Sequence, residues 1–283
     1  MQNVCFIDKP KGITSFDLCY KMRKVLNTKA IGHTGTLDPN ATGVMIILFD
    51  KTCKANSFLT TAYKEYVATV DFGYTTDTLD IDGKIVSFQD SYNVPSEEEM
   101  ITTLNSFKGK SLQRPPLTSA IKVRGKKLYE YQRAGQEVEI PLREIEVSEI
   151  YLLNLNDKKM TFRVKVSSGT YIRTLARDIL AKFNIEATLS DLRRTMVDEV
   201  RVEDCDSLEE VENGNIHFHP LIDLIKYRYP IIECDERLVK DVKNGKALKL
   251  DAPKSPIALV KDDEVLAIYE YRDGLYYSKR GLF

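Results

Sequence analysis

The sequence predicts an α+β protein, and three observations carry that prediction. Runs rich in β-branched and aromatic residues recur at residues 44–49, 66–72, 146–153, 161–166 and 187–197. Helical spacing of apolar residues is confined to a few separate stretches, at 15–28, 95–107 and 172–180. The two kinds of segment do not alternate regularly, which argues against a doubly wound parallel sheet.

The first helix is expected from Ser15 to about Thr28, because Phe16, Leu18-Cys19, Met22 and Val25-Leu26 fall at helical intervals and Ser15 is a suitable N-cap. The strand Val44–Phe49 follows. Between them lies Gly32-His33-Thr34-Gly35-Thr36-Leu37-Asp38-Pro39-Asn40-Ala41-Thr42-Gly43, where three glycines and a proline surround one carboxylate. Glycine reaches backbone conformations closed to other residues, and Pro39 fixes its own φ while steering Asp38 away from the helical region. The stretch reads as a rigid loop that presents Asp38, or as an ordinary Asp-Pro turn. Tyr66–Phe72 reads as a strand, in which Tyr66 suits either a core or a site. Residues 95–107 read as a helix opened by Ser96, with Glu97, Glu98 and Glu99 at the positive end of its dipole.

The strands at 146–153 and 161–166 are joined by a polar turn and make a hairpin. After Ser168-Gly169, Ile172, Leu175-Ala176 and Ile179-Leu180 share one helical face, leaving Tyr171 and Arg173 at the helix start and off the apolar stripe. Beyond Asp206 the pattern changes to short helical pieces. From Pro230 a β-rich tail begins, with a turn at Val242–Lys246 and strands at 257–260 and 265–269. Residues 1–229 are therefore read as the main domain and 230–283 as a short β-rich extension, which at about fifty residues is near the lower limit for folding alone.

The chain of 283 residues carries 41 basic and 42 acidic side chains, a balance that argues against a protein coated in nucleic acid. One segment departs from that balance. From Gln113 to Arg143 the basic residues Arg114, Lys122, Arg124, Lys126, Lys127, Arg133 and Arg143 outnumber the acidic Glu130, Glu137 and Glu139, with Tyr129 and Tyr131 interleaved. That composition fits either a phosphate-binding patch with stacking side chains or a solvated charged hairpin. No apolar run approaches the ~18 residues of a membrane span, and no leader-like N-terminus is visible, so a cytoplasmic protein without a membrane partner is expected. Cys5, Cys19, Cys53, Cys205 and Cys234 are scattered with no C-x-x-C pair, so reduced thiols are expected. His217 and His219 lack a third ligand nearby, and no metal is expected.

The loop from Gly32 to Val44 resembles the catalytic motif of the TruB family of pseudouridine synthases. Lys9-Pro10-Lys11-Gly12-Ile13-Thr14-Ser15, Lys64-Glu65-Tyr66, Thr75-Thr76-Asp77-Thr78-Leu79-Asp80, Arg114-Pro115-Pro116, Lys126-Lys127-Leu128-Tyr129, Gly169-Thr170-Tyr171-Ile172-Arg173 and Leu192-Arg193-Arg194 are similar to further family signatures in the same order. The resemblance spans about residues 5 to 200. It implies a pseudouridine synthase catalytic fold with a mixed, mainly antiparallel sheet flanked by helices. The tail would be a shortened version of the small RNA-binding barrel called PUA.

The activity so implied is isomerisation of the uridine at position 55 in the T-loop of tRNA, by a monomer and without a cofactor, because the reaction leaves the redox state unchanged. The resemblance assigns Asp38 as nucleophile or base at the ribose, Arg173 as its paired cation, and Tyr66 as the aromatic stacked on the target base. It further implies substrate contacts for His33, Gly35, Tyr171 and Leu192, and for Lys126 and Lys127 in the 113–143 segment. Lys9 and Lys11 are expected to touch a phosphate or to support the catalytic loop. Two other readings compete, a tRNA-folding module and a guide-RNA-dependent relative acting on ribosomal RNA. The set Asp38, Tyr66 and Arg173 favours catalysis, since a pure RNA binder gains nothing from a carboxylate that repels phosphate.

Overall fold

A computed structural model describes residues 2–60 and 63–283. The chain divides into two compact units, Met1–Pro39 with Gly43–Thr61 and Val200–Phe283, and Asn40–Thr42 with Ala62–Glu199.

In the first unit the strand Asn3–Lys9 pairs antiparallel with Thr42–Phe49 and with His219–Pro220, and parallel with Asp206–Ser207. Both long strands read as unbroken apolar runs because both of their faces are covered. Val4, Cys5, Ile7, Val44, Met45, Ile47 and Leu48 are all fully buried. Burial raises the Cys5 thiol to about 12, and all five cysteines are free thiols. The first helix runs Ser15–Val25, and its N-cap is Thr14 rather than the expected Ser15. Thr14 Oγ1 accepts from the Asp17 amide at 3.0 Å while the Asp17 carboxylate accepts from the Thr14 amide at 2.9 Å, a reciprocal capping box. The Ser15 hydroxyl is left for another partner, described below.

The expected short helices are Leu208–Glu212 and Leu221–Ile225. His217 Nδ1 lies 2.6 Å from Asp206 Oδ1, and His219 stacks on Phe6 with centroids 4.0 Å apart. The tail forms a four-stranded sheet in the order Ile231–Glu233, Ile257–Lys261, Glu264–Arg272, Leu275–Gly281. The expected turn within 242–246 falls at Asn244-Gly245, and it ends a helix, Glu236–Lys243, whose Val242 enters the core of the tail. Gln2 stitches this sheet to the N-terminal strand. Its Nε2 donates to the carbonyls of Val265 and Leu282, and its Oε1 accepts from the Val265 amide, all at 3.0 Å.

The second unit holds five antiparallel strands in the order Ala187–Val197, Lys64–Phe72, Lys159–Val166, Arg143–Leu155, Gly109–Gln113. The strand Lys64–Phe72 alternates strictly, with Lys64, Tyr66, Ala68, Val70 and Phe72 on the buried face. Helix Glu97–Ser106 is capped by Ser96 as expected and packs Met100 and Leu104 against the sheet at Arg143–Leu155. Helix Ile172–Ala181 packs on Ala187–Val197. Among the described residues, no helix is long and apolar enough to cross a membrane.

Candidate active site

Asp38 sits half-buried in a loop whose two ends are held together by strand pairing. Ile31–His33 pairs with the outgoing strand (Ile31 with Phe49, His33 with Ile47), and the Thr34 amide donates to the Ile46 carbonyl at 3.2 Å. The residues on either side of Asp38 are pinned through their backbones. The Ser15 hydroxyl donates to the Leu37 carbonyl and accepts from the Leu37 amide, both at 2.9 Å. Pro39 offers its carbonyl to the Gly12 amide at 2.9 Å and to the Lys9 ammonium at 3.1 Å.

Lys9 thus lies beneath the loop. It is fully buried, and its Nζ also donates to the carbonyls of Pro10 at 2.8 Å and Ile13 at 2.7 Å. A buried ammonium is tolerated only where its donors are met, and here three carbonyls serve three donors. The segment Lys9–Ser15 therefore acts as the floor of the Asp38 loop. Gly43, where the loop rejoins the strand, has φ 108°, a conformation that requires glycine. Gly35 is half-buried in the bend, and His33 lines a cavity of about 300 Å³ together with Phe16, Cys19, Tyr20 and Arg23.

In the second unit, Tyr66 and Leu192 share one face of the sheet. Tyr66 is opposite Val164 on one neighbouring strand and Arg194 on the other, while Leu192 is opposite Ala68, one step along that same face. Tyr66 is 7% exposed and Leu192 8%. Arg194, 1% exposed, was not singled out from the sequence, where the only signal was its place in Leu192-Arg193-Arg194.

Arg173 stands in the first turn of the Ile172–Ala181 helix, and it is buried rather than off the packed face, at 5% exposure. Its Nη1 donates to the Thr78 carbonyl at 2.9 Å, to Asp80 Oδ2 at 3.1 Å and meets Thr118 Oγ1 at 2.7 Å. Asp80 is itself fixed, since its Oδ1 accepts from the Thr78 hydroxyl at 2.6 Å and the Asp82 amide at 3.1 Å. The turn that shapes this carboxylate is tight. A Cβ on Gly83 would lie 2.2 Å from Thr78 Oγ1, so only glycine fits. Asp80 is the site residue that sequence reasoning left without a role, although it closes the Thr75–Asp80 motif. Tyr171 is the N-cap residue of the same helix, and its backbone is held by Gln113.

The 113–143 segment is more than a hairpin. Lys122–Val123 and Lys126–Lys127 form two-residue strands joined through Arg124 (φ 49°) and Gly125 (φ 84°), the paired positive φ of a type I′ turn, and helix Leu128–Arg133 follows. Lys126 lies over the Tyr131 ring at 5.9 Å, and Lys127 over Tyr129 at 5.2 Å with its Nζ bonded to the phenol at 3.0 Å. The hydrogen bond to the Tyr129 hydroxyl raises the Lys127 pKa. The arrangement interleaves cations with aromatic rings, as nucleic-acid surfaces do.

Comparison with known proteins identifies relatives of this chain. The family model for the N-terminal domain of TruB family pseudouridylate synthases matches residues 23–172. The tRNA pseudouridine synthase B of Bacillus cytotoxicus is 41% identical over 285 aligned residues, covering 96% of this chain and 93% of that protein. That of Geobacillus thermodenitrificans is 39% identical, covering 95% and 94%. In fold, the chain matches one from a Cbf5-Nop10-Gar1 complex with a TM-score of 0.76 and 24% identity, over 100% of this chain and 85% of that one. The fold and the relatives are those of pseudouridylate synthases, which are isomerases. The chain belongs to the TruB family of pseudouridylate synthases.

Proposed function

We propose that this enzyme converts the uridine at position 55 in the T-loop of tRNA to pseudouridine. The relatives named tRNA pseudouridine synthase B support the substrate class. The observation that carries the mechanism is the backbone pinning of Leu37 and Pro39 on either side of Asp38. A carboxylate so held acts at the ribose without having to be reoriented, which is the geometric condition for both nucleophilic and base catalysis.

In the reaction the C1′–N1 bond breaks, the uracil rotates, and a C1′–C5 bond forms while the C5 proton is lost and N1 gains one. The target base is stacked in the folded loop and has to be flipped out. Tyr66 supplies a face on which it stacks, Leu192 lines the uracil pocket, and His33 and Gly35 contact the substrate beside the loop. Arg173 holds the cationic side of the site, with Tyr171 beside it. Lys126 and Lys127 hold RNA phosphates. Residues 1–229 form the catalytic domain on this reading, and 230–283 add RNA affinity.

A T-arm stem-loop tests the substrate assignment. It is expected to be modified at its loop uridine at a rate comparable to whole tRNA. A stem-loop that binds but is never modified would place the recognition elsewhere.

Two variants test the supporting parts. Lys9→Met leaves the Pro39, Pro10 and Ile13 carbonyls without their charged donor, each bond worth about 1.5–3 kcal/mol. It is expected to lower the Tm and to cut turnover at least about tenfold, measured by single-turnover kinetics and thermal melting. Neutralising Lys126 and Lys127 together is expected to weaken tRNA binding and flatten its dependence on salt. The slope of log affinity against log salt should change by about one unit, at roughly 0.7 per phosphate contact to a single strand. An unchanged slope would leave the segment as solvated decoration.

A further inference from the structure

The Tyr171 backbone and the Arg173 guanidinium are both held from the root of the 113–143 segment. Gln113 is the last residue of the Gly109–Gln113 edge strand and is 3% exposed. Its side-chain amide closes a two-point clamp on one peptide. Nε2 donates to the Tyr171 carbonyl at 3.1 Å, and Oε1 accepts from the Tyr171 amide at 2.8 Å. Tyr171 is extended, at φ −97° and ψ 111°, and it caps the Ile172–Ala181 helix without any side-chain cap of its own. The clamp from Gln113 takes over the work of fixing the entry to that helix, 58 residues away in sequence. Five residues further along, Thr118 Oγ1 meets Arg173 Nη1 at 2.7 Å, shorter than the contacts of that nitrogen with Thr78 and Asp80.

An Nη1 carries two hydrogens, and here three oxygens surround it, one from Thr118 and two from the Thr78–Asp80 turn. Asp80 and the Thr78 carbonyl hold the guanidinium from one element. Thr118 holds it from the basic segment itself. Shifting that segment therefore changes what the Arg173 nitrogen bonds to, and shifting Gln113 changes where the helix that carries Arg173 begins.

We propose that Gln113 and Thr118 are positioning residues for the isomerisation, so that the 113–143 segment sets the placement of Tyr171 and Arg173 as well as holding RNA. This rests on the reading of Tyr171 and Arg173 as site residues given above. The segment is thereby a part of the catalytic machinery, and its seating on tRNA is felt at the reacting end of the site.

The test separates rate from affinity. Thr118→Val removes the hydroxyl at constant shape, Thr118→Ser restores it, Gln113→Met removes both clamp bonds, and Gln113→Glu keeps the acceptor for the Tyr171 amide while setting oxygen against the Tyr171 carbonyl. Wild type and variants are compared in single-turnover pseudouridine formation at saturating tRNA, in tRNA affinity, and in thermal melting. Thr118→Val is expected to lower the saturated rate about tenfold with affinity changed less than about twofold, and Thr118→Ser to recover most of it. Both Gln113 variants are expected to lose rate in the same way. Should Gln113→Met not fold, the Thr118 pair alone decides. A wild-type saturated rate in folded Thr118→Val, or a loss confined to affinity, overturns the proposal. Absence of any T-loop product from the wild type would instead overturn the functional reading on which it rests.

Discussion

Asp38→Asn is expected to abolish pseudouridine formation and to leave tRNA affinity close to that of the unaltered enzyme. The amide matches the carboxylate in shape but can act neither as a nucleophile nor as a base. Contacts that do not involve the Asp38 side chain hold the loop on both sides of it, where Ser15 binds the Leu37 backbone and Lys9 and Gly12 bind the Pro39 carbonyl. The variant loop should therefore keep its conformation, and the melting temperature should hold. Measured by tritium release or by mass spectrometry of digested tRNA, turnover near that of wild type would remove Asp38 from the chemistry.

Arg173→Lys is the second large effect, expected to exceed what conservation of charge would suggest. A guanidinium is a planar fork, and the Arg173 Nη1 reaches the Thr78 carbonyl, Asp80 Oδ2 and Thr118 Oγ1 together. An ammonium on a shorter stem cannot reproduce that geometry. Displacement of a catalytic group by about 1 Å costs about a hundredfold in rate, and a loss of at least that size is expected at saturating tRNA. Arg173→Ala should in addition destabilise the fold, by about 3–5 kcal/mol, since it strands the largely buried Asp80 carboxylate. A fully active Arg173→Lys would mean that a positive charge anywhere near this point suffices.

Local periodicity made much of the fold legible. The strict alternation of Lys64–Phe72 and the apolar stripe of Ile172–Ala181 each report one buried face, and both elements lie where the sequence placed them. The Glu97–Ser106 helix was legible from its cap, since Ser96 and three glutamates form a local signal. Other elements carried weaker signals. Glu236–Lys243 has Leu238, Val239 and Val242 at helical spacing, but charged neighbours and the following Asn244-Gly245 read as a turn. Leu128–Arg133 is a short helix in a basic stretch, and only Leu128 is buried.

The candidate site was legible where a motif carried it and opaque where long-range partners did. Asp38, Tyr66, Leu192 and Arg173 stand in recognisable strings. The support of those residues is distributed differently. The pairing of Arg173 with Asp80 spans 93 positions, and the clamp of Gln113 on Tyr171 spans 58. A buried lysine such as Lys9 has no local signature, because burial becomes tolerable only once three distant or neighbouring carbonyls have been folded around it. Ser15 was read as a helix cap for the same reason. Its hydroxyl has two candidate uses within reach of the sequence, and tertiary contact with Leu37 22 residues away decided between them.

The central claim is that a rigidly held Asp38 serves the isomerisation of one T-loop uridine. Position-resolved mapping of pseudouridine in an unmodified tRNA transcript, incubated with the purified protein and no further components, tests it most directly. The account predicts a single new pseudouridine at position 55 with the wild type and none with Asp38→Asn. Modification at another position, or product formed equally by both proteins, would contradict it.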